Sequence, residues 1–138
     1  MADDYKAPRP TPTPDNAPFW EALRKHELHV QRCRDCGQAY FYPRNACPGC
    51  LSGNVEWIKT SGRGRLHTFS VVHVTGRNPP LEPPYVLAMV ELEEGPKLLT
   101  NLVGVEPDPA KIRCDMAVVV EYADVTAELT LPRFRPAS

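Results

Sequence analysis

Cys33-Arg34-Asp35-Cys36-Gly37 and Cys47-Pro48-Gly49-Cys50 are two Cys-x-x-Cys pairs with ten residues between them. Each pair places two thiolates on one tight turn. Two such turns facing each other build a tetrahedral four-sulfur site, the arrangement a structural zinc takes. Gly37 stands where a turn that curls its N–H groups toward sulfur often needs a positive φ, and Pro48 stiffens the second turn. Tyr40, Phe41, Tyr42 and Pro43 lie between the pairs and supply apolar packing over them. A disulfide or a redox Cys-x-x-Cys needs no second pair facing the first. Cys33, Cys36, Cys47 and Cys50 are therefore read as the ligands of one Zn²⁺ in a zinc ribbon.

Outward from this stretch, Glu27 to Arg32 alternates apolar and polar residues and reads as a strand into the first turn, with Val55 to Ile58 as its return strand. His26 and His29 precede Cys33, but four cysteines already fill a tetrahedron, so both are read as surface residues. Upstream, Phe19 to Lys25 reads as a short amphipathic helix, entered through Asn16 and Pro18. Phe19 and Leu23 share a face at i, i+4, with Trp20 beside it. A helix this short must dock, either on its own domain or on another chain. Residues 1–18 carry five prolines and read as a flexible, extended lead-in.

Ser61-Gly62-Arg63-Gly64-Arg65 marks a boundary where the glycines allow a bend or bulge. Beyond it the pattern is β throughout. The runs Leu66–Val74, Tyr85–Leu92, Lys97–Val103, Met116–Tyr122 and Thr126–Leu131 are separated by Pro- and Gly-rich turns, which predicts a five-stranded barrel. The expected architecture is mainly β: lead-in (1–18), helix plus ribbon (19–60) and barrel (61–138). Cys114 has no partner nearby in sequence and reads as a partly buried free thiol.

The 138 residues carry a formal net charge of −1 and no apolar run of membrane-spanning length. The polar N-terminus lacks the apolar core of a signal peptide, and a reducing cytosol is the expected compartment. Ten Lys/Arg against seven Asp/Glu in residues 1–65 is too weak a basic excess for a typical nucleic-acid surface. It suits one small anionic ligand at least as well.

Taken in order, Phe19-Trp20-Glu21, the two Cys pairs, Tyr42-Pro43-Arg44, Ser61-Gly62-Arg63-Gly64, Pro84-Tyr85-Val86-Leu87-Ala88 and Pro132-Arg133-Phe134-Arg135-Pro136 span nearly the whole chain. With this set the chain resembles the bacterial and archaeal proteins that join a rubredoxin-like zinc ribbon to an OB-fold, long catalogued as a domain of unknown function. Two positions depart from the family pattern: Leu51 follows Cys50 where a Gly is frequent, and Arg113-Cys114-Asp115-Met116 replaces a Gly-Met turn. The resemblance implies a non-catalytic partner of thiolase-like enzymes in acyl-CoA metabolism. Some members bridge a thiolase to a hydroxymethylglutaryl-CoA synthase. Others join an aldolase of steroid side-chain breakdown, with hot-dog-fold acyl-CoA hydratases nearby. It also implies that ribbon and OB-fold help hold the CoA ester.

The residues themselves offer no evident catalytic set. His67 and His73 lie six residues apart on a strand, and Glu93-Glu94 is a turn. Two other function classes stay open: a single-stranded nucleic-acid module, and an enzyme using Cys114 or a histidine. Arg44, Arg63 and Arg65 are the candidate contacts for CoA phosphates, because guanidinium forks suit phosphate oxygens. Phe19, Trp20 and Phe134 are the candidate partner interface. Phe134 lies in an end segment with two prolines, which is not expected to continue a central strand, so its ring fills a groove on the barrel or on a partner, and the partner is the expectation.

Overall fold

A computed structural model of the chain describes residues 5–137. Helix α1 (Ala17–Arg24) follows Asn16, whose side chain accepts from the Thr13 N–H rather than capping the helix; Pro18 lies in its first turn, and the helix buries Phe19, Ala22 and Leu23. The ribbon is a three-stranded antiparallel sheet in which β1 (His29–Cys33) lies between β2 (Ala39–Tyr40) and β3 (Val55–Lys59). Five strands follow: β4 (Arg63–Val72), β5 (Tyr85–Leu92), β6 (Lys97–Leu102), β7 (Ala117–Asp124) and β8 (Thr130–Pro136). They close a barrel in the order β4-β5-β6-β8-β7, with β7 returning to β4. One apolar core runs through all three parts, joining Phe19, Leu23, Leu28 and Val30 to Leu66, Val90, Leu98, Val118 and Phe134.

The last strand differs from expectation. It begins at Thr130 rather than Thr126, and it holds both Pro132 and Pro136. The reason is parity. Val103 N–H donates to the Phe134 carbonyl at 2.7 Å, and Thr100 Oγ1 donates to the Pro132 carbonyl at 2.9 Å. The even-numbered residues of β8 thus turn their backbone polar groups toward β6, and the missing proline N–H groups fall on that side. The odd residues bond β7, and that ladder runs unbroken from Asp124↔Thr130 to Val118↔Pro136. Toward β6 there is one bridge, Leu102↔Phe134.

Other boundaries shift by a few residues. β4 starts at Arg63 because Gly64 lies against β5, where an added Cβ would stand 2.4 Å from the Glu91 carbonyl oxygen. The bulge falls at His67, between Leu66↔Val90 and Thr68↔Met89, rather than at the glycines. The ribbon–barrel junction is tied by Thr60, whose N–H and hydroxyl both donate to the Leu28 carbonyl. Ser61 donates to Glu93 and Glu94, the acidic turn of the β5–β6 hairpin. Residues 5–16 pack in part on the domain, with Ala7 buried. Cys114 is exposed rather than partly buried, because it sits on the outside of the turn before β7. That turn is held by Asp115 N–H to Leu66 O, and Asp115 takes φ 70°. An aspartate thus adopts the left-handed conformation for which a glycine is the usual choice.

A four-thiol metal centre and the groove beside it

The two Cys turns are built alike. Cys33 N–H bonds the Gln38 carbonyl and Gly37 N–H bonds the Cys33 carbonyl; Cys47 N–H bonds the Ser52 carbonyl and Leu51 N–H bonds the Cys47 carbonyl. Gly37 (φ 81°) and Leu51 (φ 65°) occupy equivalent places, so the departure at Leu51 changes the residue and not the turn. The four Sγ atoms lie within 4.8 Å of one another, with Cys33–Cys50 at 3.5 Å and Cys36–Cys47 at 3.6 Å. Four sulfurs tetrahedrally placed about 2.3 Å from one ion stand about 3.8 Å apart, so the cluster has the size of a metal centre. Backbone N–H groups of Cys36 and Gly49 point at Cys33 Sγ and Cys47 Sγ, at 3.4 and 3.3 Å. Such donors orient and stabilise thiolates.

Those donors also divide the thiols. The Cys36 N–H leads in lowering Cys33 to about 7, and the Cys50 N–H leads in lowering Cys47. At Cys50 the Ser52 N–H works downward, but the Cys33 sulfur and burial prevail, and the thiol is pushed up to about 12. Four sulfurs this close do not all ionise by themselves. A central cation removes that obstacle, which is why the donor set fits a metal. Asp35 fastens the turns together by accepting from Ser52 Oγ and from Asn54 Nδ2.

The three arginines are not one cluster. Arg63 and Arg65 line a shallow cavity of about 430 Å³ between β4, β5 and β7. Arg65 also donates to the Asp115 carbonyl at 3.2 Å. Arg44 sits on the ribbon, its N–H donating to Gln31 Oε1 and its Nε to the Tyr42 carbonyl.

Of the three aromatic residues assigned to a partner, Phe134 is fully buried and Phe19 is 5 % exposed, both in the common core. The expectation of a partner-facing Phe134 is therefore corrected: its ring points inward beside the single β6–β8 bridge. Phe19 is corrected likewise, packing edge-on against Trp20 and against Phe41 of the ribbon. Trp20 remains partly exposed and lines an open groove of about 450 Å³, together with Phe41, Tyr42, Leu99, Pro132 and Arg133. No sequence signal marked this groove. It opens over the seam where β6 and β8 part. A His26–Asp124 contact at 3.1 Å, with His26 stacked on Tyr122, pins the end of α1 to the barrel. Among the described residues no helix is long and apolar enough to cross a membrane.

Known proteins resemble this arrangement along nearly its full length. Residues 20–56 match the family model described as ChsH2, rubredoxin-like zinc ribbon domain, and residues 57–123 match ChsH2, C-terminal OB-fold domain. A probable enoyl-CoA hydratase alpha subunit of Thermomonospora curvata is 42% identical over 130 residues, 94% of this chain and 40% of that protein. The chain thus spans less than half the length of that relative. A benzoylsuccinyl-CoA thiolase subunit, BbsA of Thauera aromatica, is 31% identical over 71% of this chain and 65% of its own length. Among solved structures, a chain of the Ltp2-ChsH2(DUF35) aldolase is 41% identical with a TM-score of 0.84, over 94% of this chain and all of that one. The paired turns, the barrel order and these matches together show that the chain belongs to the ChsH2 (DUF35) family of proteins with a rubredoxin-like zinc ribbon and an OB-fold.

Proposed function

We propose that this chain is a zinc-binding, non-catalytic subunit of a thiolase-like acyl-CoA enzyme complex, thiolase or aldolase, in lipid or steroid side-chain degradation. It helps assemble the complex and hold the CoA ester. The observation that carries this reading is the closed four-sulfur centre. Its ligands come from two rigid turns, its sulfurs receive backbone N–H groups, and a fourth cysteine takes the place that a catalytic zinc keeps for water. Such a centre organises a surface. The relatives support the rest: those compared above carry the names of a hydratase subunit, a thiolase subunit and an aldolase.

Zinc is the ion this set suits: it takes four thiolates tetrahedrally without a redox change. When bound, it neutralises thiolate charge and locks the two turns. Arg63 and Arg65, sharing one cavity, and Arg44 on the ribbon are the residues proposed to meet CoA phosphates. A nucleic-acid role has less support, since Leu87 and Leu99 on the outer barrel face are exposed where a basic stripe would be needed.

The test is co-expression with thiolase-like and hot-dog-fold hydratase subunits, followed by light scattering and an acyl-CoA cleavage assay with and without this chain. A stable hetero-oligomer whose activity depends on this chain is expected. A chain that joins neither subunit, or that turns over acyl-CoA alone, overturns the proposal. Elemental analysis is expected to find one zinc per chain, and iron alone would refute the zinc assignment.

A further inference from the structure

Strand β4 changes its surroundings partway along. Up to Leu66 it lies between two neighbours. Arg63, Gly64 and Arg65 stand opposite residues of β7, Leu66 N–H donates to the Met116 carbonyl, and Asp115 N–H donates to the Leu66 carbonyl. Beyond Leu66 the β7 side ends, and Thr68 to Val72 pair with β5 alone. Among the described residues, none gives Thr68–Val72 a backbone hydrogen bond on the other side. Strand parity fixes which groups are left over. Before the bulge Leu66 turns its N–H and carbonyl toward β7, while the Arg63 carbonyl accepts from Glu93 N–H at the end of β5. The bulge at His67 inserts one residue. After it Thr68, Ser70 and Val72 bond β5, and Phe69 and Val71 present their N–H and C=O groups to the open edge.

The side chains of the same two residues point to the core side. Phe69 stands opposite Ala88 and Val71 opposite Val86, which are 1% and 2% exposed. Phe69 and Val71 are nevertheless only partly buried, because no strand lies beyond them. A free edge is normally guarded by a charge, a proline or a covering element. His67-Thr68-Phe69-Ser70-Val71-Val72-His73 holds no Lys, Arg, Asp, Glu or Pro. It also reads nearly alike from both ends about Ser70. Laid antiparallel on a second copy of itself, it sets Phe69 against Val71, Thr68 against Val72 and His67 against His73. The first is an aromatic against a β-branched residue and the second a pair of β-branched residues, both favourable across strands. Each Phe69–Val71 pair exchanges both backbone bonds, and Ser70 meets Ser70 at the closely spaced non-bonded position. An unrelated strand can match the backbone groups, but this symmetry of side chains is matched by the chain itself.

We infer that the open edge of β4, Thr68 to Val72, pairs antiparallel with the same edge of a second copy of this chain, about a two-fold axis at Ser70. The two barrels then share one sheet, in which β6-β5-β4 of one copy continues into β4-β5-β6 of the other. Phe69 and Val71 become covered on both copies, and their free N–H and C=O groups find partners. A pairing this short is a small interface, so the association is weak and depends on concentration. It uses neither the four-sulfur centre nor the arginine cavity, and it goes beyond the proposed function without resting on it.

The test uses the full zinc-loaded chain in sedimentation velocity over a concentration series, where a monomer–dimer equilibrium is expected. Ser70→Lys changes an exposed, outward side chain, and an unchanged melting temperature in dilute solution is checked first. It sets like charges face to face at the axis, and dimerisation is expected to weaken about fivefold or more. Cross-linking reads the register. In a Cys114→Ser background under mild oxidation, Ser70→Cys is expected to give a disulfide-linked dimer, since Cα atoms facing each other at such a position stand about 4.5 Å apart. Thr68→Cys is expected to stay unlinked, its two copies lying about 14 Å apart along the ladder. A wild-type chain that stays monomeric up to on the order of 1 mM overturns the proposal. So does a dimer that Ser70→Lys leaves intact, or one that Thr68→Cys links as readily as Ser70→Cys. A chain that is monomeric alone, and that loses a thiolase-like subunit on Ser70→Lys, assigns the edge to that subunit and overturns the second copy.

Discussion

Phe134→Ala separates a barrel-core ring from a partner-facing one. The ring is fully buried, and it sits at Leu102↔Phe134, the one ladder bridge between β6 and β8. Removing a buried Phe side chain costs about 3–5 kcal/mol, from lost transfer energy plus the cavity left behind. The upper part of that range is expected, since the neighbouring groove and the parted strands give little to collapse inward. For a chain of this length each kcal/mol lowers the melting temperature by about 3–6 °C, so a fall of about 12–30 °C is expected. The assay is thermal unfolding by circular dichroism on the isolated, zinc-loaded chain, with metal content measured alongside. Zinc stoichiometry should stay at wild-type level below the transition, because the sulfurs are held by their own turns. A melting temperature within about 2 °C of wild type, combined with weakened partner binding, would refute the reasoning and return Phe134 to the interface.

Three further outcomes are expected. Cys36→Ser should lose zinc and ribbon order, because structural zinc supplies on the order of 10–16 kcal/mol of apparent binding energy that is partly folding energy; full zinc retention by elemental analysis would contradict a four-sulfur site. Leu51→Gly should leave the melting temperature within about 2 °C of wild type, since relief of the φ 65° backbone offsets glycine's greater unfolded freedom, whereas Leu51→Val should lose about 1 kcal/mol or more in denaturant titration. Asp124 accepts from Thr130 and His26, which hold its carboxyl below the usual carboxylate range. Its contribution to stability is therefore complete above the ordinary value near 4 and is lost as pH falls through the lower folded value. Asp124→Asn should be less stable than wild type near neutrality and should flatten the decline below about pH 4, and melting curves at pH 2–6 with parallel slopes would count against this.

The metal centre was legible in the sequence because its geometry is local. Two residues separate the sulfurs of each pair, and a turn of that length has few shapes. Gly37 marks the first turn, while the equivalent left-handed place in the second turn is held by Leu51 and shows only in the backbone angles. Most strands were legible for a similar reason, since alternation such as that of Tyr85–Leu92 is written along one segment. What an apolar residue faces is a different kind of fact. Phe134 in a proline-flanked end fits a barrel core or a partner's groove equally well by composition. Only the pairing of β8, with its prolines turned toward the sparsely bonded β6 side, put the ring inside. Leu98 and Leu99 are chemically identical neighbours, yet the register of β6 leaves one 2% and the other 51% exposed. The groove joins α1, the ribbon and two barrel strands, β6 and β8, that are not consecutive in sequence. No local pattern encodes it, because it is the space left where separately specified elements fail to meet.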